Sequence, residues 1–124
     1  MDADKHLMEL LTAWEETYKK GQLTFWVFLA LKDGKKYVDE IKEFVEKESN
    51  GTMSCELQSL YRMLRKFLHL GVLDFETGQG YKGPERKYYY LTDLGEKLLQ
   101  GFITRNIQLF FNKRIKNLIN KESQ

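Results

Sequence analysis

The sequence predicts a mainly α-helical protein with one small β-hairpin. Apolar residues recur at helical spacing through most of the chain, and two short runs rich in β-forming residues lie between positions 72 and 91. Three glycines and the only proline lie between those two runs. With 124 residues, 42% of them hydrophobic and 31% charged, the chain is long enough to bury the core of one domain without disulfides or metals.

Two helices are predicted before Gly34. The first covers about residues 4–20 and precedes Gly21, a residue typical of helix ends. Its apolar face is formed by Leu7, Leu11, Trp14 and Tyr18. The second covers about residues 23–32, and its middle, FWVFLAL, has no polar face. Because a helix that is apolar all round is buried on most sides, we expect this helix at the centre of the core.

Two further helices are predicted on either side of a turn at Ser49-Asn50-Gly51. The third helix, over residues 37–48, has an acidic outer face that should not lie against a polyanion. The fourth begins with Ser54 as the predicted N-cap. Its predicted inward residues are Leu57, Leu60, Leu64, Phe67 and Leu68. Its predicted exposed face consists of Cys55, Gln58, Ser59, Arg62, Arg65, Lys66 and His69.

A hairpin and a long helix are predicted for the rest of the chain. VLDF at 72–75 and RKYYYL at 86–91 are the two strands, and ETGQGYKGPE between them is the tip. Thr92 is the predicted cap of one continuous helix over residues 93–121, roughly 43 Å long. The apolar residues of this helix that we assign to an interface are Leu99, Phe102, Ile103, Ile107, Phe110, Phe111, Ile115 and Leu118.

This order of elements is the winged helix-turn-helix arrangement. The third and fourth helices form the helix-turn-helix, and the hairpin forms the wing. We divide the chain into an N-terminal helical arm over 1–22, a winged helix-turn-helix domain over 23–92 and a C-terminal dimerisation helix over 93–124. Both long terminal helices have apolar faces that the central domain cannot cover. The sequence therefore predicts a homodimer in which these helices pack against their symmetry mates.

The stretch from SCELQSLYRMLRKFLHLGVLDF to GPERKYYYLTDLGEKLL resembles the PadR-like winged-helix transcriptional regulators. The similar features are the pair Leu60-Tyr61, the glycine and short strand in GVLDF, and the basic-aromatic strand that leads into a threonine-glycine helix start in RKYYYLTDLG. The resemblance covers about residues 23–100. In one departure, Arg62 stands where the family often has proline. The two flanking helices are also similar to those of small archaeal winged-helix regulators that dimerise through long terminal helices.

The fourth helix is the predicted recognition helix. An α-helix fits the major groove of DNA, and the first half of a recognition helix meets base edges. Gln58 could therefore pair with adenine and Arg62 with guanine, while Ser59 could reach a base or a phosphate. Arg65 and Lys66 are better placed for phosphates. Further predicted DNA contacts are Ser54, Lys35 and Lys36 before the third helix, and Tyr81, Lys82, Arg86 and Lys87 in the wing.

Some of these assignments have an alternative interpretation. The resemblance implies that Tyr61 supports or touches a phosphate, but it could equally be a buried aromatic. Lys35 and Lys36 could belong to a solvated turn, and the wing residues to a flexible hairpin tip. Alternation along the strand places Tyr89 on the face opposite Tyr88 and Tyr90, which favours core packing over a platform for stacking bases.

Composition excludes several classes of protein. A net charge of +2 excludes a histone-like polycation but not a localised basic surface. The single cysteine, Cys55, excludes an intrachain disulfide, and the two histidines lie in no metal-ligand motif, so we expect no metal and no cofactor. No catalytic set or phosphate-binding loop is visible, and we therefore expect no enzyme activity.

We predict a sequence-specific, double-stranded DNA-binding transcriptional regulator that acts as a dimeric repressor. The recognition helix would lie in the major groove and the wing on the minor groove or the backbone. Two alternatives stay open: a winged-helix adaptor that binds proteins, and an architectural DNA-binding protein of low specificity. A small-molecule effector has no support in the sequence. Without a visible signal peptide or membrane span, we expect a cytoplasmic, nucleoid-associated protein.

Overall fold

The computed structural model describes residues 2–79 and 83–121, which form six α-helices and one antiparallel β-hairpin. The elements are α1 Asp2–Lys19, α2 Gln22–Asp33, α3 Val38–Glu48, α4 Leu57–His69, β1 Leu73–Gln79, β2 Glu85–Leu91, α5 Asp93–Asn106 and α6 Lys113–Asn120, with a 3₁₀ turn over Gln108–Phe111. The predicted class is confirmed. In the part of the chain that the structure describes, no helix is both long and apolar enough to cross a bilayer.

The core is built around α2, as its apolar composition predicts. Val27 and Ala30 are fully buried, and Phe28 and Leu31 nearly so. Every other element of the winged domain, and α5 after it, adds buried side chains to this core: Ile41, Val45, Leu60, Leu64, Leu73, Tyr89, Leu91 and Leu99. This single core holds α3, α4 and the hairpin in a fixed relation, because each of them must bury its apolar face against α2.

The turn between α3 and α4 differs from the prediction. Residues 53–56 are not helical, and α4 begins at Leu57, so Ser54 is not its N-cap. In this segment Met53 and Cys55 turn inward and are buried, whereas Cys55 was expected on an exposed helix start. Leu57, expected inside, is 39% exposed. The apolar side chains of Met53 and Cys55 thus contribute to the core from a non-helical segment.

Two side chains, Ser49 and Lys42, hold this turn. The Ser49 hydroxyl accepts a hydrogen bond from Met53 N at 3.0 Å and donates to Met53 O at 3.3 Å. The Lys42 ammonium donates to Cys55 O at 2.6 Å and to the Glu46 carboxylate at 2.7 Å. Because these groups satisfy the backbone of a segment without regular structure, the direction of α4 is set by residues outside that helix.

The wing strands are longer than predicted, with pairs that run from Leu73↔Leu91 to Gln79↔Glu85. The polar residues 76–79, expected in the loop, belong to β1. Pairing between strands uses backbone groups, so it continues where the side chains are no longer apolar. Lys36 forms an isolated antiparallel bridge to β2, since it exchanges backbone hydrogen bonds with Tyr89 at 3.1 and 2.8 Å.

A close junction joins α4, β1 and α5. The Thr92 hydroxyl donates to Gly71 O at 2.7 Å and accepts from Gly95 N at 3.1 Å, which confirms Thr92 as the cap of α5. Gly95 lies directly against the backbone carbonyl of Val72, and a Cβ at this position would overlap the carbonyl oxygen. The cap formed by Thr92 and the close packing of Gly95 on the Val72 carbonyl thus explain the threonine-glycine spacing.

The predicted single C-terminal helix is wrong. Helix α5 ends at Asn106, a 3₁₀ turn follows, and α6 starts again after Asn112, whose side chain accepts a hydrogen bond from Ile115 N at 2.9 Å. An asparagine that caps a helix in this way competes with the continuous helical backbone. Two shorter helices therefore replace the predicted continuous helix of roughly 43 Å.

The residues assigned to a dimer interface differ in how far they are buried within their own chain. Leu99 is 3% exposed within the core of its own chain, so its assignment to an interface is corrected. Ile103 packs partly on the same core, and Phe102 lies with its ring centroid 5.2 Å from that of Phe25. Ile107 and Ile115 are half-buried. The exposed members are Leu7, Leu11, Trp14, Tyr18, Phe102, Phe110, Phe111 and Leu118.

Candidate DNA-binding surface

The outer side of α4 presents a row of polar and basic side chains. Gln58, Arg62 and Arg65 are exposed and follow each other at intervals of four and three residues, so they share one face. Lys66 is exposed beside them, and Ser59 is half-buried. Leu60 and Leu64 are fully buried on the opposite side, which fixes the rotation of the helix. The structure thus brings together the residues that the sequence assigned to base and phosphate contacts.

The cations of this row have no carboxylate partner among the described residues. Arg62, Arg65 and Lys66 take part in none of the ion pairs in that part of the chain. By contrast, Lys32, Lys35, Lys36 and Lys42 each contact an acidic side chain. The α4 face therefore has positive charge that is available to an anion, although the whole chain is nearly neutral.

Tyr61 lies where α4 meets the wing. Its side chain is 41% exposed, so it is neither buried nor free in solvent. Tyr89 of β2 is buried nearby; burial raises the pKa of its hydroxyl, Tyr61 raises this pKa further, and Arg65 lowers it. Tyr61 is therefore not a fully buried aromatic, and its phosphate contact stays a prediction.

The two basic wing residues within the described part of the chain point to opposite faces. Lys87 shares a face with buried Tyr89, and its Nζ lies 4.7 Å from the centre of the Phe75 ring. Lys87 therefore lies at the exposed end of the inward face of the hairpin, whereas the next residue, Arg86, lies on the other face.

Arg86 is held on the outer face of the wing. Its guanidinium lies 4.2 Å from the ring centre of Tyr37, whose ring packs edge-on against Tyr88 at 5.8 Å. Gly78 pairs with Arg86 in the sheet and leaves room for the Tyr88 ring. The sequence did not single out Tyr37, which stands at the N-cap position of α3 and connects the wing to the helix-turn-helix.

The two lysines before α3 have different surroundings. The Lys36 ammonium donates to Ala30 O at 2.7 Å and to Asp33 at 2.8 Å, and its side chain is only 13% exposed. Its predicted phosphate contact is therefore corrected, because the ammonium group is occupied within the chain. Lys35 is 55% exposed and paired with Glu76 at 2.8 Å; this hydrogen bond raises the pKa of Lys35. Its phosphate contact stays a prediction.

Ser54, Tyr81 and Lys82 were also predicted to contact DNA. Ser54 is exposed in the segment before the helix, beside a recess that Lys42 and Ser59 also line. Tyr81 and Lys82 at the wing tip lie outside the described residues. Sequence reasoning missed Lys42 and Ser49, which hold the turn before α4; no local motif marks a side chain that bonds to backbone several residues away.

Cys55 is protected from reagents in solvent. Its side chain is 7% exposed, and burial raises the pKa of the thiol, an effect that the nearby Lys42 ammonium opposes. A reactive cysteine needs a lowered pKa and access to solvent. The structure therefore gives this residue a packing role in the turn.

Comparisons with known proteins agree on one family. The model of the transcriptional regulator PadR-like family matches residues 27–101. No curated protein is significantly similar in sequence. Among solved structures, Bacillus subtilis PadR in complex with operator DNA is 25% identical, with a TM-score of 0.62 over 68% of this chain and 48% of that chain. This chain thus spans about half the length of that protein.

Two other structures match over nearly their whole length. A PadR-like transcriptional regulator from Bacillus cereus is 23% identical, with a TM-score of 0.66 over 86% of this chain and 99% of that chain. A PadR family transcriptional regulator from Eggerthella lenta is 19% identical, with a TM-score of 0.63 over 95% and 99% of the two chains. At these identities the likeness shows the fold, while the family model covers more than half of the sequence. The chain belongs to the PadR-like family of transcriptional regulators.

Proposed function

We propose that the protein is a dimeric repressor that binds double-stranded DNA in a sequence-specific manner, with α4 in the major groove. The observation that supports this most directly is the row of exposed cations on α4, Arg62, Arg65 and Lys66, which form no ion pair among the described residues. The related Bacillus subtilis PadR is seen with operator DNA. A helix with a solvent-facing basic side and an apolar side fixed in a core is suited to this groove.

Within this proposal the residues have separate tasks. Gln58 and Arg62, in the first half of α4, read base edges, since amide and guanidinium groups pair with adenine and guanine. Arg65, Lys66 and Lys87 neutralise phosphates. The remaining proposed DNA contacts are Ser54, Ser59, Tyr61, Lys35, Tyr81, Lys82 and Arg86. Arg86 would have to reach the backbone from the outer face of the wing, where it lies on Tyr37.

We further propose that residues 23–92 act as the DNA-binding domain, flanked by an arm over 1–22 and a dimerisation segment over 93–124. Two-fold symmetry would place the two copies of α4 about one helical turn apart, ~34 Å, on half-sites of a palindrome. The bound dimer would block access to a promoter. In this proposal the chain carries out no catalysis and acts in the cytoplasm at the nucleoid.

The test is fluorescence anisotropy with duplex DNA from the protein's own promoter region and with a scrambled duplex, at several salt concentrations. Arg62→Ala should lower affinity for the promoter duplex by roughly 5- to 150-fold and bring it closer to that of the scrambled duplex. Arg65→Ala should weaken both duplexes alike and reduce the salt slope by about 0.9. Lys47→Ala is the matched control, since it removes one cation from the acidic helix α3.

The outcomes separate the proposal from its rivals. Tighter binding of the promoter duplex, together with loss in Arg62→Ala but not in Lys47→Ala, supports it. Equal binding of both duplexes contradicts sequence specificity and indicates an architectural DNA-binding protein. If neither duplex binds at low salt, the DNA-binding proposal is wrong, and a protein partner becomes the object of the search.

A further inference from the structure

The outer face of the wing continues onto the segment before α3. Lys36 pairs with Tyr89 in an antiparallel bridge, and the backbone of Tyr37 is extended, with φ −86° and ψ 171°. Because side chains alternate between the two faces of a sheet, Tyr37 lies on the face opposite Tyr89, beside Tyr88. Its ring packs edge-on against the Tyr88 ring, with 5.8 Å between the ring centroids. The side chain of Tyr37 thus belongs to the wing surface, although the residue begins the helix-turn-helix.

The Tyr37 ring also supports the side chain of Arg86. The Arg86 guanidinium carbon lies 4.2 Å from the centre of this ring, well inside the ~6 Å that is typical of cation–π contacts. Tyr37, Arg86 and Tyr88 are all half-buried. A Cβ at Gly78 would lie 2.8 Å from Tyr88 Cε2, so the Tyr88 ring lies close over this glycine. The contact with Tyr37 therefore restricts the conformations of the Arg86 side chain.

This contact leaves the charge of Arg86 available to an anion. A guanidinium can contact an aromatic ring and still use N–H donors at its edge, because it has five of them in a planar fork. Arg86 forms no ion pair among the described residues. By contrast, Lys35 on the same face is paired with Glu76 at 2.8 Å. Arg86 can therefore bind a phosphate without first releasing a carboxylate in the described part of the chain.

We propose that Tyr37 is a positioning residue for DNA binding, whose ring holds the Arg86 guanidinium ready for a phosphate of the DNA backbone. This inference rests on the proposed function, in which Arg86 contacts DNA from the outer face of the wing. A long side chain that is ordered before binding loses less conformational entropy when it binds. Tyr37 thus contributes to affinity without carrying a charge and without touching the DNA.

The first experiment is a double-mutant cycle measured by fluorescence anisotropy with the promoter duplex. Tyr37→Leu removes the ring but keeps the bond from the backbone N–H of residue 37 to Glu40 Oε1. It should lower affinity about 2- to 12-fold, the loss expected when one long side chain must be ordered on binding. The salt slope should stay unchanged, whereas Arg86→Ala should reduce it by about 0.9. In an Arg86→Ala chain, Tyr37→Leu should have no further effect, because no guanidinium is left to position.

Two variants separate positioning from a general effect on the fold. Tyr37→Phe keeps the ring and should restore the affinity that Tyr37→Leu loses. Tyr90→Leu is the matched control, since it removes a half-buried ring of the same face that lies 5.8 Å from the Lys35 ammonium. Its effect on affinity should be the same with and without Arg86. If Tyr37→Leu also lowers affinity equally in both backgrounds, it acts through the fold, and the inference is overturned.

The second experiment observes Arg86 in the absence of DNA. NMR relaxation of its Nε–Hε group reports motion on the picosecond–nanosecond timescale. This group should be ordered in the wild type and in Tyr37→Phe, and mobile in Tyr37→Leu. A mobile group in the free wild type overturns the inference, whether or not Tyr37→Leu folds. A wild type that binds no duplex overturns the proposed function together with the inference, whereas DNA binding with an additive cycle overturns the inference alone.

Discussion

Gly95→Ala tests whether the threonine-glycine motif is set by packing. A Cβ at this position would overlap Val72 O, a backbone atom that cannot move aside like the end of a flexible side chain. The same oxygen accepts a hydrogen bond from Thr92 N at 3.1 Å, so a shift of Val72 would also disturb the cap of α5. Helix α5 must therefore move away from the wing, or the junction must open.

The magnitude follows from two opposing effects. Overpacking of this kind costs about 2–3 kcal/mol. Alanine in place of glycine in a helix raises the free energy of unfolding by about 0.5–1 kcal/mol. We therefore expect Gly95→Ala to lower the free energy of unfolding by about 1–2.5 kcal/mol.

The matched control is Gly101→Ala in the same helix, where an added Cβ meets open space. This change should raise the free energy of unfolding by about 0.5–1 kcal/mol. Both variants and the wild type are unfolded in urea at one protein concentration, and the midpoints are compared at equal slope. If Gly95→Ala is as stable as Gly101→Ala, the close contact with Val72 does not explain the glycine.

Three further predictions concern buried polar groups. Ser49→Ala should lower the free energy of unfolding by about 1–3 kcal/mol, because Met53 N loses its partner in a buried turn; an unchanged urea midpoint would contradict this. Lys36→Met should cost about 1–2 kcal/mol of stability. It should leave the salt slope of DNA binding unchanged, whereas a phosphate contact would reduce that slope by about 0.9. The buried thiol of Cys55 has a raised pKa in the folded state, so its contribution to stability is complete below its unfolded pKa near 8.5 and is lost as the pH rises through the folded value. Urea unfolding at pH 8 and pH 10 should therefore show a larger fall in stability for the wild type than for Cys55→Ala, and equal falls would show that the thiol does not ionise on unfolding.

The elements that could be predicted are those whose signal is local and repeated. The spacing of Leu60 and Leu64 sets the buried side of α4, and the same spacing places Gln58, Arg62 and Arg65 outside. Alternation in β2 likewise separates Tyr89 from Tyr88 and Tyr90. These patterns can be recognised in the sequence because a helix or strand that packs on a core places its apolar residues at a regular spacing.

The errors arose where a distant group decides the local conformation. Serine is a residue type typical of N-caps, yet the burial of Cys55 and the hydrogen bond from Lys42 to the Cys55 carbonyl keep Ser54 outside the helix. Lys36 has the positive charge that a phosphate contact needs, yet its ammonium group donates a hydrogen bond to the Ala30 carbonyl near the end of α2. The C-terminal helix has a continuous apolar pattern, yet Asn112 caps a new helix within it.

The sequence by itself determined the helical class, the order of elements as far as α5, the central place of α2 and the resemblance that the family match then confirmed. These properties depend on periodicity and short motifs, which each segment carries independently of the others. Only the tertiary structure decided which face of the wing Lys87 and Arg86 each occupy and that Leu99 belongs to the core of its own chain. These properties depend on which segment packs against which, and that is a free-energy balance over the whole chain that no local pattern contains.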